Sequence, residues 1–271
     1  MIRDITLGQY YPADSVVHKL DPRVKLFATL IYIIALFSFR GILGFALITG
    51  MLIFMISISK VPFHYIVKGL KAIVILLIIT ATFNLVFTPT GTEYWHWGPF
   101  HLTSDGIQNA VLMTIRLIYL IIGTSLMTLT TTPNQLTDGL EKALSPLNRI
   151  HVPVHAVAMM MSIALRFIPI LIEETDKIMK AQMARGADFD HGNLIQKAKG
   201  MVPLLIPLFV SAFRRADDLA MAMEARCYSG GQGRTKMKPL KYGKNDHLAY
   251  LILLLFLAVV IVARILLPFP M

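Results

Sequence analysis

The sequence predicts an all-α integral membrane protein: about five transmembrane helices plus a cytoplasmic domain of three long amphipathic helices. Three observations predict it. The 271 residues are 55% hydrophobic and only 15% charged, where a soluble domain carries about 25% charged residues. Apolar runs close to the ~20 residues that a bilayer core requires recur along the chain. Lysine and arginine are concentrated in alternate links between those runs, as the positive-inside bias requires.

The spans follow in order. Val24–Phe39 is the first apolar run, and Gly41–Ser57 follows after Arg40 alone. One straight helix across both would be about 50 Å long at ~1.5 Å per residue, well beyond a ~30 Å core. The pair is therefore read as two short antiparallel spans turning at Arg40-Gly41. Ile66–Phe87 is the third span. Gly106–Leu129, interrupted by Arg116, is the fourth, and Ala249–Leu267 is the last.

Charge orients them. The N-terminal segment has Arg3, Lys19, Arg23 and Lys25, and the link between the second and third spans has Lys60, Lys68 and Lys71. The next link, Thr88–Asp105, has no lysine or arginine, whereas segment 132–246 has sixteen. A multi-pass protein of the plasma membrane is expected, with the N-terminus and 132–246 cytoplasmic and the C-terminus outside. The domains are then 1–131 (N-terminal segment and first four spans), 132–246 (cytoplasmic) and 247–271 (last span). No apolar core of a signal peptide lies in the first twenty residues. The aromatic outer stretch Tyr94-Trp95-His96-Trp97 suits a membrane interface. The net charge of +10 is assigned to phospholipid and the positive-inside bias, and no nucleic acid partner is expected.

Within 132–246, Val152–Ile172 is apolar enough to be a span. Met201–Phe213 has thirteen residues and contains Pro203 and Pro207. If the first crossed, the second would have to return, or Arg214, Arg215, Arg226 and the basic residues after them would lie outside. Both are accordingly placed on the cytoplasmic side, in preference to a seven-span arrangement. Thr132-Pro133-Asn134-Gln135 reads as a capping box with proline at the first helical position. The stripe Leu136, Leu140, Leu144 carries that helix to about Ser145-Pro146. A second helix runs from near Val154 to Arg185 and stops at Gly186. A third runs from about Ile195 through Arg226 and stops near Gly230-Gly231, with Leu205, Phe209, Phe213, Ala216, Ala220 and Met223 at helical spacing.

Chemistry-bearing clusters are scarce. The lone Cys227 allows no internal disulfide or cysteine-based metal cluster. His151 and His155 are separated by Pro153 and lack supporting ligands. Gly230-Gly231-Gln232-Gly233-Arg234-Thr235 lacks the Gly-Lys-Ser/Thr ending of a phosphate loop. The spans hold no carboxylate away from their ends, as an ion-coupled transporter would require. Neither catalysis nor a metal or cofactor of its own is expected.

Two tripeptides stand out: Ala184-Arg185-Gly186 and Ala225-Arg226-Cys227, with arginines 41 positions apart and each near a helix end. An arginine there can merely complement the helix dipole, worth ~0.3–1 kcal/mol. It can also dock between small neighbours into a groove of another protein. Met159, Met160 and Met161, with Leu205, Phe209 and Phe213, form either apolar filling or an adaptable contact surface.

Leu20-Asp21-Pro22-Arg23-Val24-Lys25-Leu26 is similar to the lead-in segment of the T-component (EcfT/CbiQ) family of energy-coupling factor transporters. Thr131-Thr132-Pro133, Leu165-Arg166-Phe167-Ile168-Pro169 with Glu173 and Glu174, and the two arginine tripeptides resemble the same family, over about residues 7–265. The resemblance implies a membrane scaffold of an ABC-type importer for vitamins or other micronutrients. It makes 132–246 a coupling domain, whose Arg185 and Arg226 each dock into one of two cytoplasmic ATPases, the partners that bind ATP and Mg. It also implies a separate substrate-binding membrane subunit, an S-component, meeting the methionine-rich helices. Cys227 departs from the glycine or serine of the family's second motif. The alternative from another class is a self-sufficient secondary transporter.

Overall fold

The computed structural model describes residues 10–39, 42–71, 73–88, 90–97, 100–187, 194–228, 230, 237 and 239–266. In chain order the elements are α1 (Val16–Lys19), α2 (Pro22–Ser38), α3 (Ile42–Ser59), α4 (Phe63–Lys71), α5 (Val74–Phe87), β1 (Glu93–Trp97), β2 (Phe100–Thr103), α6 (Ser104–Thr130), α7 (Pro133–Ala143), a 3-10 turn (Ser145–Ile150), α8 (Val154–Ala184), α9 (Leu194–Ala225) and α10 (Lys244–Leu266). The all-α membrane class holds. By length and composition α6, α8 and α10 can each cross a bilayer, α4 and α5 together form a fourth, bent candidate, and α3 is a shorter apolar helix. α2, at 17 residues, sits at the short end of the ~17–25 residue range. α8, expected outside the membrane, passes the same test of length and apolarity as α6 and α10.

Ile66–Phe87 is not one straight span. α4 ends at Lys71, α5 begins at Val74, and the two are bent by 62°. Lys68 and Lys71 occupy the last turn of α4 while Ile66 is buried, so α4 is two-faced, whereas α5 carries no charge. Two-faced and wholly apolar segments favour different depths and angles in a bilayer.

The link read as an aromatic outer loop contains an antiparallel β-hairpin, with Glu93 opposite Thr103 and His96 opposite His101. Its tyrosine, tryptophan, phenylalanine and threonine content favours strand. Thr103 then caps α6, its hydroxyl oxygen accepting the Gly106 N–H at 3.1 Å.

The chain forms two compact units, one running to Leu140 and resuming at Leu240, the other covering Glu141–Pro239. Both divisions fall inside segment 132–246. α7 starts in the first unit because Gly139 leaves no room against α2: a Cβ there would lie 2.9 Å from the Pro22 side chain. The capping box that opens α7 is present. The Thr132 N–H donates to Gln135 Oε1 at 3.2 Å and the Gln135 N–H donates to Thr132 Oγ1 at 3.3 Å.

The core of the first unit includes Leu36, Ile48, Ile66, Leu126 and Phe256. Its polar residues are tied together at the basic end. Asp21 caps α2 by accepting the Arg23 N–H at 2.9 Å, and the Arg23 guanidinium donates to both Asp21 oxygens at 3.0 and 2.9 Å. That guanidinium lies 3.9 Å over the Tyr242 ring. The Asp21 N–H donates to Asp246 at 2.8 Å, and Asp246 accepts the Gly243 N–H at 2.7 Å. These contacts bind α10 to α2 across more than 200 residues, which is why 240–246 folds with the first unit. Burial opposes ionisation of Asp21, but the hydrogen bonds and charge of Arg23 outweigh it and hold the carboxyl below its usual range.

The C-terminus of α6 leaves carbonyls that need donors. The buried Lys25 ammonium donates to Thr130 at 2.8 Å and to His18 at 3.2 Å. The Tyr11 N–H donates to Leu129 at 2.9 Å. His18 Nε2 donates to the Tyr11 carbonyl at 3.0 Å. Burial pulls the His18 pKa below its ordinary value, with the Lys25 charge adding to the shift and the Tyr11 carbonyl opposing it. Arg116, the charge inside the fourth span, donates to the Phe39 carbonyl at the end of α2 at 2.8 Å. It serves helix packing, consistent with the cost of a bare charge in lipid.

Candidate functional site

The two arginine tripeptides close α8 and α9 in the same way. At the end of α8, the Gly186 N–H donates to Met183 at 2.9 Å and the Ala187 N–H reaches back to Gln182 at 3.0 Å. At the end of α9, the Cys227 N–H donates to Glu224 at 2.8 Å and the Tyr228 N–H reaches back to Met223 at 3.0 Å. Both are Schellman caps, in which the residue after the helix adopts left-handed backbone and satisfies the last carbonyls. Gly186 has φ +90° and Cys227 has φ +56°.

The cap accounts for the residue after each arginine. A Cβ at position 186 would meet nothing within 4 Å, so space does not demand glycine there; the backbone angle does. Cys227 carries the left-handed strain that glycine avoids, ~1–2 kcal/mol for an L-residue. The cap also fixes the arginines, holding each on the last turn of its helix. Ala184, Arg185, Gly186, Ala225, Arg226 and Cys227 are all exposed. Among the described residues neither guanidinium has an ion-pair partner.

α8 and α9 pack as an antiparallel pair. Arg215 on α9 donates to Glu174 on α8 at 2.5 Å, and the Gln182 amide near the end of α8 donates to the Pro203 carbonyl near the start of α9 at 3.5 Å. In that register the level of Arg226 falls near residue 163 of α8. Arg185 and Arg226 are thus separated along the pair by roughly 30 Å, at ~1.5 Å per residue. The structure does not bring them together; it sets one at each end.

The six apolar contact candidates are also divided. Met160 and Met161 are exposed and Met159 is half-buried, and the register sets them near the level of Arg226. Leu205, Phe209 and Phe213 are exposed on one face of α9, Phe213 at 68%, at levels between the ion pair and the Arg185 end. Charged residues whose role sequence reasoning missed are Arg23, Lys25 and Asp246. Their signal was present: charges in the first turn of otherwise apolar helices, which must find partners or stay in water.

The CbiQ family, described as cobalt transport protein, matches residues 13–237. The energy-coupling factor transporter transmembrane protein EcfT of Clostridium kluyveri is 56% identical over 266 residues, covering 98% of each chain.

The chain belongs to the CbiQ/EcfT family.

Family members of the same name from Acidaminococcus fermentans and Bacillus subtilis are 50% and 46% identical, covering 94% and 91% of this chain and 94% and 93% of their own. The CbiQ match takes in α8, α9 and both arginine caps and stops short of α10. Among the described residues no group of three or more histidine, cysteine, aspartate or glutamate side chains could hold a metal ion.

Proposed function

We propose that this protein is the membrane scaffold, or T-component, of an energy-coupling factor importer, and that Arg185 and Arg226 each dock into one of two cytoplasmic ATPases. The observation that carries the reading is the duplicated arginine cap. Two exposed guanidiniums, presented by the same backbone motif and roughly 30 Å apart, suit two separate grooves better than one. Long helices behind the caps suit the transmission of motion: ATP-driven closure of the partners shifts the helix ends, and α8 and α9 carry the shift to a substrate-binding membrane subunit. The exposed residues Met160, Met161, Leu205, Phe209 and Phe213 suit contact with that subunit. Selection of the vitamin or metal rests with the subunit, and ATP hydrolysis with the ATPases. The 132–246 segment is cytoplasmic in this reading, with the N-terminus on the same side and the C-terminus outside. A secondary transporter is disfavoured because Arg116, the intramembrane charge that could mark a pathway, is engaged by the Phe39 carbonyl.

Truncating one partner of a desolvated interfacial charge pair costs about 2–5 kcal/mol. The test is co-purification of the two ATPases with full-length chain carrying Arg185→Glu, Arg226→Glu or both, with uptake measured in parallel. Each single variant is expected to lower ATPase recovery and the double variant to abolish coupled uptake. Full recovery and full uptake by the double variant would overturn the reading.

A further inference from the structure

At the basic end of the first unit lies an apolar cavity of about 420 Å³, walled by α2, α3, α6 and α10 with α1 at its mouth. That volume is in the range of small-molecule sites. The cavity has a structural origin. α3 and α10 share the packed core at one end, through Phe45, Ile48, Phe256 and Val260. Towards the opposite end that shared packing stops, and Phe54 and Leu248, which line the chamber, are 45% and 57% exposed. The chamber occupies that stretch, along Val24–Tyr32 of α2, Met51–Ile58 of α3 and Asn245–Leu253 of α10. Eight residues of helix are about 12 Å, most of one leaflet of a ~30 Å core.

The mouth is chemically different. A second, adjoining cavity of about 470 Å³ shares Val16, Ile58 and Asn245 with the first and is otherwise bordered by Asp14, Ser15, Lys19, Ser57 and Lys60, two cations to one carboxylate. Lys19 is paired with Asp14 at 3.4 Å. Among the described residues Lys60 has no carboxylate partner, and it stands exposed just past the end of α3. An apolar shaft of leaflet depth, ending in a vestibule with an unspent cation, has the polarity of a phospholipid.

We propose that this chamber is a site for an anionic phospholipid, one acyl chain lying between α3 and α10 and the headgroup phosphate at Lys60. The bound chain fills a void that the helices leave between them, and the Lys60 charge gives the site its preference among lipids. The occupant is a lipid rather than a partner helix, because the shaft is only about 12 Å long and its mouth adjoins Lys60.

The test uses the purified full chain, carried from bilayers of equal phosphatidylglycerol and phosphatidylcholine into mild detergent, with retained lipid counted by native mass spectrometry. The wild type is expected to retain one phosphatidylglycerol in preference to phosphatidylcholine. Ala249→Phe and Ala28→Phe fill the shaft from two different walls, and each is expected to lose the retained lipid. Lys60→Glu leaves the shaft intact and is expected to lose the preference for phosphatidylglycerol by about tenfold. Retention of phosphatidylglycerol by both shaft-filled variants at the wild-type level overturns the proposal. So does an unchanged preference in Lys60→Glu, a surface substitution that is readable even if the shaft-filled variants misfold.

Discussion

The cap geometry makes a prediction opposite to one based on residue size. Gly186 sits at φ +90° with no atom within 4 Å of a prospective Cβ. Gly186→Ala adds no clash, so only the backbone responds. Left-handed backbone costs an L-residue ~1–2 kcal/mol, offset by the ~0.4–1 kcal/mol that losing a glycine removes from unfolded-chain entropy. The net is about 1 kcal/mol of cap stability, close to a fivefold change in the local opening equilibrium. Cys227→Gly runs the same exchange in reverse at φ +56° and stabilises the α9 cap by roughly 0.5–1 kcal/mol. Hydrogen–deuterium exchange on the full chain reads both, at the amides of residues 186 and 187 and of residues 227 and 228. Exchange quickens in the first variant and slows in the second. If Gly186→Ala leaves exchange unchanged, or Cys227→Gly fails to slow it, backbone angle is not what these positions select and smallness alone explains them.

Three further outcomes are expected. A Cβ on Gly123 would lie 2.3 Å from the Tyr32 ring, whose hydroxyl donates to the Tyr119 carbonyl at 2.8 Å; Gly123→Ala should cost about 1–3 kcal/mol, seen as a lower thermal midpoint and partly relieved by adding Tyr32→Leu. His18 has its folded pKa below the ordinary 6.5, so the unfolded chain binds its proton first and acid favours unfolding. Its contribution is full above about pH 6.5 and declines as pH falls from there through the folded value. His18→Gln should flatten that part of the stability profile, and an unaltered slope would count against a neutral buried imidazole. Exposed Cys227 reports sidedness without any substitution: in intact cells producing this chain without the ATPases that would cover it, a membrane-permeant maleimide should label it and an impermeant one should not. Labelling by the impermeant reagent would reverse the orientation proposed for 132–246.

Much of the architecture was legible because it is local. Thr132 with Gln135 and Asp21 before Pro22 are specified within about five residues, by side chains that answer unpaired backbone groups, and the stop of α8 at Gly186 by a glycine that takes left-handed backbone. α9, expected to run to Gly230-Gly231, ends at Ala225 instead, because Cys227 adopts the left-handed cap without being glycine. The all-α membrane class was legible from composition, since lipid as solvent excludes most charge. The bend between α4 and α5 was not, because an apolar run read by average hydropathy conceals Lys68 and Lys71 on one face. The hairpin was missed because its pairing depends on register across a turn, and the aromatic residues suited an interfacial loop equally well.

By itself the sequence determined the membrane solvent, the capped start of α7, the stop of α8 and the two arginine tripeptides, all consequences of neighbours along the chain. Tertiary structure alone decided the rest. Packing of Glu174 against Arg215 set the antiparallel register that holds Arg185 and Arg226 roughly 30 Å apart. The contacts of Asp21 with Asp246 and Arg23 with Tyr242 decided that the last helix joins the first unit. The end of shared packing between α3 and α10 decided that a cavity exists between them. The physical reason is that hydrogen bonds within a turn follow from residues a few positions apart, whereas register and voids depend on which surfaces meet across hundreds of residues.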